Sequence, residues 1–144
     1  RAGGGLLASL RARKRGHTRE EAEMAEVAGM LHDLLTYVDR NGAAMMTKDG
    51  YAILEYEEDE NGNWPREWYY DEIHAQVNNV YGYAYVERGF DTEGRLISER
   101  YRDRYNKLAN NPDGIASWNG YYDSDGNLVI TNQYDKDLQN VPIQ

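Results

Sequence analysis

The chain repeats itself at a constant period of 32, which is the sequence spacing between Gly50, Gly82 and Gly114. The repetition starts at Asp49 and runs to the C-terminus, with five identical columns and no insertion. Self-similarity at a fixed period is the signature of repeat architectures, in which each copy packs on its neighbours. The sequence therefore predicts three equivalent units, over 49–80, 81–112 and 113–144. The identical columns are Gly50, Gly82 and Gly114; Ala52, Ala84 and Ala116; Asp59, Asp91 and Asp123; Gly62, Gly94 and Gly126; and Asp71, Asp103 and Asp135.

Each unit is predicted to be a β-hairpin followed by a connector. The hairpin turn is expected at Asn61-Gly62, Glu93-Gly94 and Asp125-Gly126, because Asn-Gly and Asp-Gly accept the positive φ of tight turns. The second strand is expected over 64–70, 96–102 and 128–134, where Pro65 lacks an N–H and disturbs the first copy. The connectors 72–80, 104–112 and 136–144 fit either a short helical turn or a further strand. The first-strand residues expected on the core face are Ala52, Leu54, Tyr56, Ala84, Val86, Phe90, Ala116, Trp118 and Tyr122.

A helix is predicted over residues 18–36, upstream of the repeats. Thr18 with Glu21 three residues later forms a capping box, and Asn41-Gly42 provides a stop signal. Apolar residues recur between them at spacings of 3 and 4, which is typical of one face of a helix. These residues are Met24, Val27, Ala28, Leu31, Leu34, Leu35 and Val38.

The repeat register continues upstream of Gly50. Tyr37 and Asp39 precede Tyr69 and Asp71 by one full period, so 37–48 is predicted to be the back half of a partial unit whose front half is replaced by the helix. Terminal repeats are often atypical because they cap the stack. The predicted fold is therefore α+β and mainly β, an antiparallel hairpin meander or short solenoid capped by an N-terminal helix. Its parts are a leader over 1–17, the helix and partial repeat over 18–48, and the three repeats over 49–144.

Composition supports a folded domain. The 144 residues include 13 Tyr and 3 Trp, and disordered chains are poor in such residues. There is no Cys, which excludes disulfides and thiol chemistry and leaves the redox compartment open.

Charge is distributed unevenly along the chain. Residues 1–19 hold six basic residues and no acid, and the remainder holds 10 basic and 25 acidic residues. A body this acidic is a poor partner for nucleic acid and for anionic lipid.

Residues 1–17 are expected to be a flexible basic leader. The run from Ala2 to Leu10 is small and apolar, and 11–15 is basic, a pattern also typical of the end of a transmembrane or signal segment. Nine residues are too few to span a bilayer, which needs about 20. Membrane attachment would therefore require a segment upstream of Arg1.

Two stretches of the repeats resemble the YD repeat of Rhs-type surface proteins. Residues 90–96 read Phe-Asp-Thr-Glu-Gly-Arg-Leu and 122–128 read Tyr-Asp-Ser-Asp-Gly-Asn-Leu. The first copy departs from the pattern, since Glu58 replaces the aromatic residue and Trp64 ends the motif, and the period exceeds the usual YD unit. The segment 114–134 is also similar to WG-like, tyrosine-rich repeats of bacterial surface proteins. The resemblance implies β-hairpins and an extracytoplasmic setting, and it brings no activity.

Metal binding and catalysis have little support. Segments 59–63 and 123–127 place oxygens at alternate positions, as calcium loops do, but Tyr70 and Tyr134 occupy the twelfth positions where Glu is needed. Turn formation explains the same oxygens. His32-Asp33 is similar to the adjacent pair of metal-dependent phosphohydrolases, which need further His and Asp ligands, so His32 is expected to be a half-exposed helix residue. His74 with Glu72 does not make a metal site. We predict no catalytic residue, metal or cofactor.

The aromatic residues are the main functional signal. Odd-numbered positions of the first strands carry tyrosines that are expected on the face opposite the core, and Trp64 and Trp68 are expected on one face of their strand. Such rows bind sugar rings or anchor a peptide, or they only stabilise the sheet by cross-strand pairing. The candidate ligand-binding residues are Tyr51, Tyr83, Tyr85, Tyr121, Trp64 and Trp68.

These features favour a non-enzymatic repeat module of a bacterial surface protein. It would bind a glycan or a protein, or serve as a structural piece. The alternatives are a subunit that self-associates through open sheet edges and a fragment of an extracellular hydrolase that uses a pair of its many carboxylates.

Overall fold

The protein is all-β in the part of the chain that the computed structural model describes, residues 13–15 and 30–144. Each strand pairs antiparallel with the next along the chain, so the strands form one open meander sheet in sequence order. No helix is present in the described residues, and the predicted helix is wrong over 30–36, where a strand lies. The strands are β1 Arg13–Arg15, β2 Met30–Thr36, β3 Ile53–Asp59, β4 Arg66–Tyr70, β5 Tyr85–Phe90, β6 Leu96–Arg102, β7 Ser117–Tyr122 and β8 Leu128–Tyr134.

Residues 30–36 form a strand, where the last part of the predicted helix is expected. Every residue of β2 is in register with β3, from Met30 opposite Asp59 to Thr36 opposite Ile53. The strand is favoured over a helix because pairing with β3 gives each residue cross-strand contacts, while Leu35 still packs on the core. The rest of the predicted helix, 18–29, lies outside the described residues. Three residues of the expected leader, Arg13–Arg15, form β1 and pair with β2.

One five-residue turn recurs ten times between residues 39 and 139. In every copy the first N–H donates to the fifth carbonyl oxygen, and the fourth N–H donates to the first carbonyl oxygen. In nine copies an Asp or Asn side chain at the first position also accepts the third and fifth N–H groups, as an Asx turn does. The turns begin at residues 39, 47, 59, 71, 79, 91, 103, 111, 123 and 135.

The fourth turn position requires positive φ, and glycine fills it in seven copies, including Gly62, Gly94 and Gly126 at 82°, 80° and 84°. The other three copies hold His74, Asn106 and Leu138 at 63–65°. The connectors are therefore built from turns. Each contains a short extended segment that folds back on the preceding strand, through bridges such as Tyr70 with Gln76 and Arg102 with Leu108. In the described residues the connectors are not helical.

The two faces of the sheet differ in character. We call the face that carries Leu54, Tyr56 and Tyr69 the core face, because these buried side chains form the hydrophobic cluster. Of the nine first-strand residues predicted on the core face, six are buried: Ala52, Leu54, Tyr56, Ala84, Val86 and Ala116. The other three, Phe90, Trp118 and Tyr122, are only half-buried. We call the other face, with Glu55, Trp68 and Tyr85, the outer face; these residues oppose one another across β3, β4 and β5.

Candidate functional site

The outer face holds a groove of about 540 Å³ at the end of β4, β5 and β6. The strands supply an aromatic wall, Trp68 and Tyr85, and a charged floor, Glu87, Arg100 and Arg102. The strand register brings these side chains together, because Trp68 opposes Tyr85 on β5 and Tyr85 opposes Arg102 on β6. The connector turns close the end of the groove with Gln76, Asp103 and Asn106.

Trp68 and Tyr85 belong to an aromatic row that crosses the outer face. The ring centroids of Trp68 and Tyr85 are 5.3 Å apart, and those of Trp68 and His32 are 5.7 Å apart with their planes inclined at 29°. Glu55 lies beneath this row and forms hydrogen bonds with His32 and with the Tyr70 hydroxyl. Stacking and these hydrogen bonds hold the row in place, so the wall of the groove is ordered before any ligand arrives.

The acidic side chains of the groove have protein partners, whereas the two arginines have no carboxylate partner in the part of the chain that the structure describes. Glu87 lies 3.9 Å from Arg66, and one Asp103 oxygen accepts the backbone N–H groups of Tyr105 and Lys107. Within the described residues, neither Arg100 nor Arg102 has a carboxylate within 4.0 Å. Arg102 instead donates a 3.1 Å hydrogen bond to the Asn106 carbonyl oxygen, which orients its guanidinium. The groove therefore presents two cations although the chain carries a net charge of −9.

Tyr51 and Tyr83 lie on the core face, not on the face opposite it as expected. Both pack against the hydrophobic cluster, and both flank Tyr69, with ring centroids 4.9 and 5.9 Å from it. The reason is local, because each occupies the fifth position of a turn, before the regular strand alternation begins. The row continues to Tyr37 at one end and Tyr101 at the other. Burial raises the pKa of Tyr51, Tyr69, Tyr83 and Tyr101, as expected for packed rather than solvated phenols.

Trp64 and Trp68 lie on opposite faces, which corrects the expectation that they share one. Trp64 stacks on Tyr56 of the core face with a 4.1 Å centroid distance, and its indole N–H donates to Glu58. Trp64 precedes β4, which starts at Arg66, just after Pro65. The same position of the next repeat, Leu96, opposes Phe90 across a register shift. An extra residue in the returning strand reverses the alternation, so residues four apart no longer share a face.

Tyr121 stands apart from the groove. It is 53% exposed near the far end of β7, where it opposes Val129. Of the six predicted aromatic residues, the structure thus brings together Trp68 and Tyr85 in one groove. Tyr51, Tyr83 and Trp64 take part in the core-face packing instead.

The core face holds a buried ionic network. The Arg88 guanidinium donates to Glu67 and to Glu99, and Glu67 is only 9% exposed. The hydroxyls of Tyr69 and Tyr101 donate to the same two carboxylates at 2.6 and 2.8 Å. Burial alone would lower the pKa of Arg88, but Glu67 and Glu99 raise it above its usual value. Arg88 therefore stays charged and ties the two carboxylates together, an arrangement suited to structure.

The remaining polar candidates also have structural partners. One oxygen of Asp123 accepts the N–H groups of Asp125 and Asn127, as turn formation requires. His74 holds the positive-φ position of its turn, and its ring contacts Tyr70 edge-on. His32 is a strand residue, not a helix residue. Residues 13–15 and 30–144 contain no group of three His, Asp or Glu placed to hold a metal ion.

Sequence reasoning misses Arg100 and Arg102, although a signal is present. The two residues alternate with Tyr101 on the second strand of the middle repeat, whose buried side fixes their direction. Gln76 and Asn106 cannot be assigned from sequence, because it leaves the path of the connectors open.

The fold is thus a single meander sheet with one packed face and one grooved face. Comparison of the chain with protein-family models, curated proteins and solved structures gives no match. The described residues contain no helix long and apolar enough to cross a membrane.

Proposed function

We propose that the protein is a non-enzymatic binding module whose outer-face groove takes a glycan. One observation carries the proposal: Trp68 and Tyr85 form an aromatic wall beside the polar side chains of Gln76, Arg100 and Arg102. Saccharides present apolar ring faces and many hydroxyls, so their sites pair aromatic rings with precisely placed polar groups.

The carboxylates of the groove favour binding over hydrolysis. Asp103 is committed to its turn, and Glu87 lies beside Arg66. A glycosidase needs two carboxyl groups flanking one scissile bond, one of them protonated. Both carboxylates of the groove are thus engaged by protein groups, and the rest of its polar lining is two arginines and two amides. The similarity of the repeats to YD repeats supports a setting at a bacterial surface, where polysaccharides are abundant.

Retention on immobilised polysaccharides tests the proposal. The wild-type protein is expected to bind at least one acidic or neutral cell-surface polysaccharide, and Trp68→Leu is expected to lose retention because the wall of the groove is removed. Tyr121→Ser is the matched control, since it removes an exposed tyrosine outside the groove. Circular dichroism and a melting curve verify that both variants fold. Absence of retention on every polysaccharide, or equal loss in both variants, contradicts the proposal.

A second candidate is self-association through the sheet edge. β8 pairs with β7 along its whole length and is the last strand of the sheet. The Gln133 carbonyl oxygen already accepts the Val141 N–H, and Tyr134 bridges to Asn140. The outer backbone groups of 128–132 can pair with another strand, which is a known route to assembly. A particle size that rises with protein concentration supports this candidate, and a constant size over the accessible range counts against it.

A further inference from the structure

A second groove continues the first across the outer face. It has a volume of about 310 Å³ and shares Glu87 and Arg100 with the first groove. Its other lining residues from the outer face are Gly89, Ser98, Ser117, Asn119 and Tyr134. The register places them in line, because Ser98 opposes Gly89 on one side and Asn119 on the other, and Arg100 opposes Ser117.

The outer-face side chains of the second groove bring mainly hydroxyl and amide groups, and Arg88, Glu99 and Trp118 also line it. The Ser98 hydroxyl fills the space over Gly89, since a Cβ atom on Gly89 would clash with that oxygen. A hydrogen bond from Ser117, helped by the nearby Arg100 guanidinium, lowers the pKa of the Tyr134 hydroxyl. Arg100 therefore lies at the junction, between the aromatic groove and the hydroxyl-rich groove.

The two grooves together suit an extended ligand. They run from Trp68 on β4 to Tyr134 on β8, across four strand spacings, or roughly 19 Å at about 4.8 Å per spacing. One sugar ring fills only a fraction of this length. Glu87 and Asp103 line the same groove, but Glu87 lies beside Arg66 and one Asp103 oxygen is held by its turn. Arg100 and Arg102 have no carboxylate within 4.0 Å among the described residues, so their guanidinium groups are available to an anionic ligand. Guanidinium groups bind carboxylates through paired hydrogen bonds.

We propose that the continuous groove binds an extended acidic polysaccharide, with sugar rings against Trp68 and Tyr85 and a uronic-acid carboxylate on Arg100. This inference rests on the proposed glycan-binding function and adds the charge and the length of the ligand. The second groove then holds the sugar units that follow the carboxylate, through Ser98, Asn119 and Tyr134.

Calorimetric titration with oligogalacturonic acids tests charge and length separately. The hexasaccharide is expected to bind about tenfold more tightly than the disaccharide, because only the longer ligand reaches the second groove. Its affinity is expected to fall with added salt, since the arginines are partly exposed to solvent. The fully methyl-esterified hexasaccharide, which has the same length without the charge, is expected to bind about tenfold more weakly than the acid form.

Two variants assign these effects to residues. Arg100→Gln is expected to weaken the acidic hexasaccharide about tenfold and to weaken the esterified form much less, because the esterified form loses no ion pair. Asn119→Ala is expected to reduce the advantage of the hexasaccharide over the disaccharide. Tyr121→Ser again serves as the control outside both grooves.

The outcomes separate this inference from the proposed function. If acidic and esterified forms bind equally and Trp68→Leu abolishes both, the glycan site stands and the acidic specificity is wrong. Equal affinity for the disaccharide and the hexasaccharide overturns the extended site. If no saccharide binds but a poly-glutamate peptide does, both proposals fail and the groove is a peptide site.

Discussion

The backbone N–H of Val80 donates a 2.9 Å hydrogen bond to the carbonyl oxygen of Asp49, in the turn one repeat earlier. The Tyr81 hydroxyl donates to the carboxylate of the same Asp49, also at 2.9 Å. Turns at the same position of successive repeats therefore contact one another. Other links of this kind join Asn63 to the carbonyl oxygen of Gly94, and Asn78 to the N–H of Arg104.

This contact predicts that Gly50 is less replaceable than Gly62. Both have positive φ, 86° and 82°, but a Cβ atom on Gly50 would lie 2.9 Å from the Val80 nitrogen, while one on Gly62 meets nothing within 4 Å. Gly62→Ala is expected to lower the free energy of unfolding by about 1–2 kcal/mol through backbone strain alone. Gly50→Ala is expected to lower it further. Urea denaturation of both variants measures the difference, and equal losses would show that the turns tolerate displacement.

Asn79 is predicted to stabilise its turn through its side-chain oxygen. That oxygen accepts the N–H groups of Tyr81 and Tyr83, and the residue is 6% exposed. Asn79→Ala leaves these donors without their acceptor and is expected to cost about 1–3 kcal/mol. Asn79→Asp keeps an acceptor oxygen at the same place and is expected to cost less. The order of the two urea midpoints checks the prediction, and a reversed order would contradict it.

Arg88 is predicted to be the most sensitive charged residue of the sheet. Arg88→Met leaves Glu67, which is 9% exposed, without its cation, and breaking such a pair costs about 3–5 kcal/mol. The triple variant with Glu67→Gln and Glu99→Gln is expected to recover part of this loss, because it removes the buried charges. Arg66→Met serves as control, since Arg66 is largely exposed and pairs with Glu57 at 3.2 Å. Similar melting temperatures for the Arg88 and Arg66 variants would refute a stabilising role of the network.

Alkaline pH is predicted to unfold the protein. Burial raises the pKa of Tyr51, Tyr69, Tyr70 and Tyr101 above the ordinary value of 10.0. Because the unfolded chain releases these protons first, their contribution is complete below about pH 10 and is lost as pH rises from there towards the folded-state values. Tyrosinate absorbance and circular dichroism are expected to change together above pH 10. Complete titration of all tyrosines near pH 10 with the fold intact would contradict this prediction.

The turns show how much of the fold local sequence determines. Gly62, Gly94 and Gly126 are predictable as hairpin turns because positive φ is a property of the residue and its immediate neighbours. The turns that begin at 71, 103 and 135 are not predicted, because their fourth positions hold His74, Asn106 and Leu138 rather than glycine. The signal that locates them is the Asp, Asn or Thr that opens every turn from 39 to 135.

The segment 30–36 shows where local pattern fails. Leu31 and Leu35 lie four residues apart, a spacing that fits one face of a helix and also one face of a strand. Only pairing with β3 decides between them, and those partners lie well downstream in the chain, as Leu54 does opposite Leu35. The repeat register itself makes this segment the equivalent of the second strand of the next unit, because Tyr37 corresponds to Tyr69.

The sequence by itself determined the period, the all-β hairpins of the repeats and the buried alternation of their first strands, because these depend on residues close together in the chain. The tertiary structure alone decided which aromatic residues share a face, since Trp64 lies before β4 and stacks on Tyr56 of the core face, while Trp68 lies within β4 and opposes Tyr85 of the outer face. It also decided the groove, which joins Trp68, Tyr85 and Arg102 from three strands with Gln76 and Asn106 from two connectors. Such a site depends on strand register and on the path of the turns, and both result from contacts between residues far apart in the chain.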